Sequence, residues 1–155
     1  MGMSSRNDVY REVEQALGRV PEWLKPMPDA ALGSFWSTMR DLELGETKIP
    51  NKYKELIGLA VSGATRCRYC VLFHTEAARL FGATDDEIAE ACAMAGFTMA
   101  ASTFLNAQQV DFDRFKKETL EIVRYVKGKG VGSRDVRSNA PSAQPAPQSA
   151  SARHV

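Results

Sequence analysis

The chain has 155 residues, 44% of them hydrophobic, which is enough for one globular domain with a real core. Twenty basic against nineteen acidic residues leave a formal charge of +1 with no basic block or stripe, which argues against nucleic acid as a partner. No run approaches the roughly 18 apolar residues of a membrane span, and the start, MGMSSRNDVYREVEQ, has no apolar signal-peptide core, so a soluble cytoplasmic protein without a membrane partner is expected.

No segment alternates in the manner of a β-strand, while helical spacing recurs throughout. The expected fold class is therefore all-α, with about six helices. A first helix over residues 7–17 carries Val9, Val13 and Leu17 at four-residue steps and meets Gly18 near its end. After the proline-punctuated stretch VPEWLKPMP, a second helix starts near Pro28 and Asp29, with Leu32, Phe35, Trp36 and Met39 on one face, and closes at Leu44 and Gly45.

Pro50 opens a third helix that runs to about Gly63. After Glu55 it is apolar nearly all round (LIGLAV), which predicts a central, buried element. GATR interrupts the pattern, and a fourth helix begins at Arg66 or Cys67 and ends at Phe81 and Gly82. TDDE then reads as a capping box from Thr84 to Glu87, opening a fifth helix over about 85–108. Its middle, AEACAMAGFTMAAS, is crowded with small residues that let another helix approach closely. A sixth helix over 112–127 has Phe112, Phe115, Leu120, Val123 and Val126 as apolar positions. Beyond it the composition turns to Ser, Ala, Pro, Gln and Gly. Residues 1–128 thus read as one helical domain and 129–155 as a disordered tail, in which His154 has no expected role.

Chemistry concentrates in RCRYCVLFHTEAARL. Cys67, Cys70 and His74 are spaced by three and four residues and so share one helix face. Near the start of a helix, unpaired amides and the helix dipole favour a thiolate, and a disulfide across the first turn is geometrically accessible. Glu55 lies twelve residues before Cys67. If GATR reverses the chain, the third and fourth helices form an antiparallel hairpin, with Glu55 about two turns back and His74 about two turns forward. Glu55, His74 and Cys70 are then placed to form a proton relay. The third cysteine, Cys92, is expected to be inert core packing.

The spacing Glu55, Cys67, Cys70, His74 resembles the Glu…Cys-x-x-Cys-x-x-x-His motif of alkyl hydroperoxidase D-like proteins of the carboxymuconolactone decarboxylase superfamily. The likeness extends to KELIGLAVS and HTEAARLFGATDDEIAEA and covers about residues 48–110 well. It implies an all-α fold that assembles as trimers or larger rings, and a thiol peroxidase activity without a cofactor or metal. By position, Cys70 is then the peroxidatic thiol and Cys67 the resolving thiol, the two closing a redox disulfide, while Glu55 and His74 move the proton. Family members are re-reduced by a lipoyl-bearing or thioredoxin-like protein. Here Tyr69 stands where the founding hydroperoxidases carry a histidine just before the second cysteine, which bears on the strength of the activity.

Other readings of the same residues stay open. Thiol–disulfide exchange of a broader kind uses the same dithiol. Cys67, Cys70, His74 and Glu55 are also a permissible zinc ligand set, although structural zinc sites usually join pairs from separate segments. A decarboxylase-type lyase of the same superfamily is disfavoured by the paired cysteines, and a non-enzymatic scaffold lacks only turnover to distinguish it.

Overall fold

The computed structural model describes residues 5–129. Six α-helices follow in order, α1 (Arg6–Leu17), α2 (Asp29–Thr38), α3 (Asn51–Thr65), α4 (Arg68–Leu80), α5 (Asp85–Ala107) and α6 (Phe112–Gly128). A 3-10 turn, Glu22–Leu24, lies between α1 and α2, and a π-helical turn, Met39–Leu44, continues α2. Among the described residues there is no strand, and the all-α expectation holds. The predicted tail falls outside the described residues. These residues make two compact units, one ending at Phe104 and one starting at Leu105.

In the first unit, α1 starts at a capping box in which Ser5 and Asp8 satisfy one another's backbone amides, and it stops at Gly18, whose φ of 75° a side chain would disfavour. Val9 and Val13 of α1 pack with Leu24, Leu32, Trp36 and Met39. Burial of each such side chain contributes about 1.5–3 kcal/mol. Trp36 keeps its indole N–H paired, donating to Oε2 of Glu12 at 3.0 Å, and the same oxygen accepts from Arg40 at 2.6 Å. Two residues expected inside are not. Leu17, the last residue of α1, is exposed, and Phe35 stacks edge-on against Trp23 at the surface.

The helical hairpin is present, formed by α3 and α4. Arg66, with φ 60°, ends α3 in the left-handed region. The amide of Arg66 bonds to Gly63 O at 3.2 Å and that of Cys67 to Ser62 O at 3.0 Å, a Schellman closure that reverses the chain within two residues. The expectation that α3 is buried all round needs correction. Its buried stripe is Asn51, Glu55, Leu59 and Ser62, while Ile57 and Val61 are exposed. The helix therefore turns a largely polar face inward and an apolar face outward, which points to a site inside.

Helix α5 opens as predicted, with Thr84 N donating to Glu87 at 2.9 Å and Glu87 N to Thr84 Oγ1 at 3.1 Å. None of its residues is buried. By length and composition α5 is apolar enough to cross a membrane, which corrects the expectation that no run approaches a span. The small residues that dilute its Met, Phe and Ile positions hid this, since its acidic residues, Asp85, Asp86, Glu87 and Glu90, all lie in its first two turns. In the second unit, Asp111 caps α6 by accepting from Arg114 N at 2.8 Å. Phe112, Phe115, Leu120, Val123 and Val126 are all exposed in the single chain.

Candidate active site

The site lies on the α3–α4 hairpin. Cys67 is the N-cap of α4 rather than a member of its first turn, and its sulfur accepts from the amide of Cys70 at 3.3 Å. Both sulfurs therefore sit where α4 presents unpaired N–H groups, which favours negative charge on sulfur. The two are joined as a disulfide, with Cα atoms 5.4 Å apart. Three residues before His74, Val71 bonds back to Cys67 O at 2.9 Å, so the helix is regular from its first turn.

Glu55 and His74 meet. Nδ1 of His74 lies 2.7 Å from Oε2 of Glu55, and Glu55 is 0% exposed. Such close approach of the ring to α3 depends on Gly58, one turn beyond Glu55. A Cβ built there would stand 2.4 Å from His74 Cε1 and 2.5 Å from Nδ1. Glycine in mid-helix costs about 1 kcal/mol against alanine, and here the space it leaves is filled by the imidazole. Phe73 adds an edge-on ring contact to His74 at 5.3 Å.

A third group, not anticipated from the sequence, completes the cluster. Oε1 of Glu43 lies 3.8 Å from His74 Nδ1. The π-helical turn that carries Glu43 is tied to the start of α3, since Asn51 donates to Leu44 O at 2.9 Å. Lys54 donates to Leu42 O at 2.7 Å and to Gly45 O at 2.6 Å. Burial raises the Glu43 carboxyl above its ordinary value, the charge of Glu55 raises it further, and His74 and Lys54 oppose both. No periodic pattern marks Glu43, because a π turn shifts side chains off the 3.6-residue repeat. The faint clue was an acid between two leucines in a segment closed by glycine.

Two other residues are placed differently from expectation. Cys92 is exposed rather than packed in the core. It lines an open cleft of about 400 Å3 together with Leu59, Ala64, Arg66, Val71 and Met99, between α3, α4 and α5. Tyr69 is exposed, with its hydroxyl bound by Arg68 at 3.0 Å and the guanidinium 4.9 Å above its ring. Its phenol is thus turned to Arg68. The alternative zinc set also separates: the donors that converge are Glu43, Glu55 and His74, while the two sulfurs are bonded to each other.

Residues 30–110 match the Carboxymuconolactone decarboxylase family. The fold is similar to the crystal structure of the alkylhydroperoxidase AhpD core from Rhodospirillum rubrum, with a TM-score of 0.62 and 28% identity, covering 70% of this chain and 82% of that one. A protein from Paracoccus denitrificans described as uncharacterized protein 4 in the cox locus is 26% identical over 80 residues, which is 52% of this chain and 72% of that protein.

Proposed function

The chain belongs to the carboxymuconolactone decarboxylase family, and we propose that it is a thiol-dependent peroxidase that reduces organic hydroperoxides. The observation that carries this reading is the buried Glu55–His74 hydrogen bond on the same hairpin as the Cys67–Cys70 pair. Likeness to the alkylhydroperoxidase core supports it.

In the reduced enzyme the Cys70 thiolate attacks the terminal peroxide oxygen. A sulfur–oxygen bond forms as the O–O bond breaks, and the alkoxide leaves with a proton from the His74–Glu55 pair. Cys67 then attacks the sulfenic sulfur of Cys70 and expels water, closing the disulfide. The balance is one hydroperoxide and two thiols consumed for one alcohol, one water and one disulfide. Two electrons from a lipoyl-bearing or thioredoxin-like dithiol restore the pair.

Exposed apolar positions on α3 and α5, Ile57, Val61, Met94 and Phe97 among them, suit a homo-oligomer, a trimer or hexamer, in which they face a second copy. The experiment that tests the function is consumption of an organic hydroperoxide by the reduced protein with each donor class supplied in turn. Turnover with either donor supports the peroxidase. Disulfide reduction without peroxide consumption would favour a general disulfide oxidoreductase.

A further inference from the structure

Two carboxylates and an imidazole converge more closely than the proposed redox chemistry requires. One donor atom each from Glu43, Glu55 and His74 lies within 4.8 Å of the others. The relay uses one Glu55 oxygen, Oε2, against His74. Its other oxygen, Oε1, is buried and has no hydrogen-bond partner among the described residues. It belongs to the same carboxyl group as the oxygen that meets His74, and the residue is 0% exposed. A buried acceptor without a partner is destabilising, more so when charged, and that cost calls for a ligand.

We propose that Glu43, Glu55 and His74 form a binding site for one divalent transition-metal cation, of the zinc or manganese class, and that its occupancy withdraws His74 from the proton relay. The second half rests on the peroxidase reading; the first does not. One imidazole nitrogen and two carboxylate oxygens suit Zn2+, Mn2+ or Fe2+. Donors sharing an ion at metal–ligand bonds of 2.0–2.2 Å stand about 2.8–3.6 Å apart, from octahedral to tetrahedral geometry. The separations from His74 Nδ1, 2.7 Å to Glu55 and 3.8 Å to Glu43, bracket that range, and the two carboxylates lie within 4.8 Å of each other, so side-chain adjustment assembles the site. A dication also offsets the repulsion between the Glu43 and Glu55 carboxylates. Binding displaces the proton held between His74 Nδ1 and Glu55 Oε2, so metal and proton transfer compete for the same atoms.

The test is equilibrium dialysis of the full-length, disulfide-oxidised protein carrying Cys92→Ser, against Zn2+ or Mn2+, with bound metal measured directly. Oxidation and the substitution together remove every thiol ligand. About one equivalent is expected, with affinity lowered roughly tenfold or more by Glu43→Gln and by His74→Gln, each checked for native helicity. Binding below a tenth of an equivalent, or full affinity retained in folded Glu43→Gln, would overturn the site. In the reduced wild-type protein, added metal should slow peroxide consumption and a chelator should restore it. Stoichiometric binding with unchanged peroxide consumption would overturn the competition. Absence of any peroxide consumption would overturn the peroxidase reading and with it the competition, while the dialysis result would still decide the site.

Discussion

Oε2 of Glu55 and Nδ1 of His74 stand 2.7 Å apart across two helices, although nineteen residues separate them in sequence. The pair exists because the chain reverses at Arg66 and because Gly58 leaves room for the ring. Glu55→Gln keeps the shape of the side chain but removes the charge that holds the imidazole ready to pass a proton. The expected outcome is a loss of about a hundredfold or more in the rate of thiol oxidation by peroxide, with helicity retained. Stopped-flow rates across pH check it. An unchanged pH–rate profile would remove Glu55 from the mechanism.

Gly58→Ala separates two opposed effects. On helix propensity alone the substitution stabilises by about 1 kcal/mol. Because the new Cβ would meet the His74 ring at 2.4–2.7 Å, the ring must move off Glu55. Loss of peroxide reduction without a gain in melting temperature is expected. A more stable and fully active variant would show that His74 does not occupy this position.

The two cysteines have distinct proposed roles. Cys70→Ser should abolish turnover, since no other thiol holds its place one turn before His74. Cys67→Ser should permit a single oxidation of Cys70 without an intrachain disulfide. Mass spectrometry of each variant after peroxide gives the answer, and equal residual turnover in both would contradict the assignment.

Glu43 carries a pH dependence of stability. Its carboxyl is raised above the ordinary 4.5 in the folded protein, by burial first and by the charge of Glu55 second. The folded state therefore binds this proton more tightly than the unfolded state does. The stability it contributes is complete below about 4.5 and is lost as pH rises through the folded value. Replacing Glu43 with Gln removes that loss. The melting temperature of the variant relative to wild type should climb as pH rises above 4.5, and thermal melts from pH 4 to 8 measure it. A difference that stays constant with pH would show that Glu43 is not raised.

Much of this arrangement was legible in the sequence because it depends on local rules. Pro50, the GATR break and the Thr84–Glu87 capping box each fix a helix boundary through backbone hydrogen bonds made within a few residues. Antiparallel register then put Glu55 opposite His74 by counting turns. Glu43 was not legible, because it arrives through a π turn whose placement depends on Asn51 and Lys54 gripping the carbonyls at its end. The exposure of Ile57, Val61 and the α6 positions was also missed, since hydrophobic periodicity identifies an apolar face without saying whether the fold of the chain covers it. Cys92 was misread for a similar reason: its small, apolar neighbours line an open cleft rather than a closed core.

The most direct measurement is intact mass and free-thiol count on the fully reduced protein, before and after one equivalent of an organic hydroperoxide. The expected result is the loss of two thiols as a Cys67–Cys70 disulfide, with the peroxide converted to its alcohol and Cys92 still free. Peroxide left unconsumed with all three thiols intact would contradict a peroxidase built on this pair.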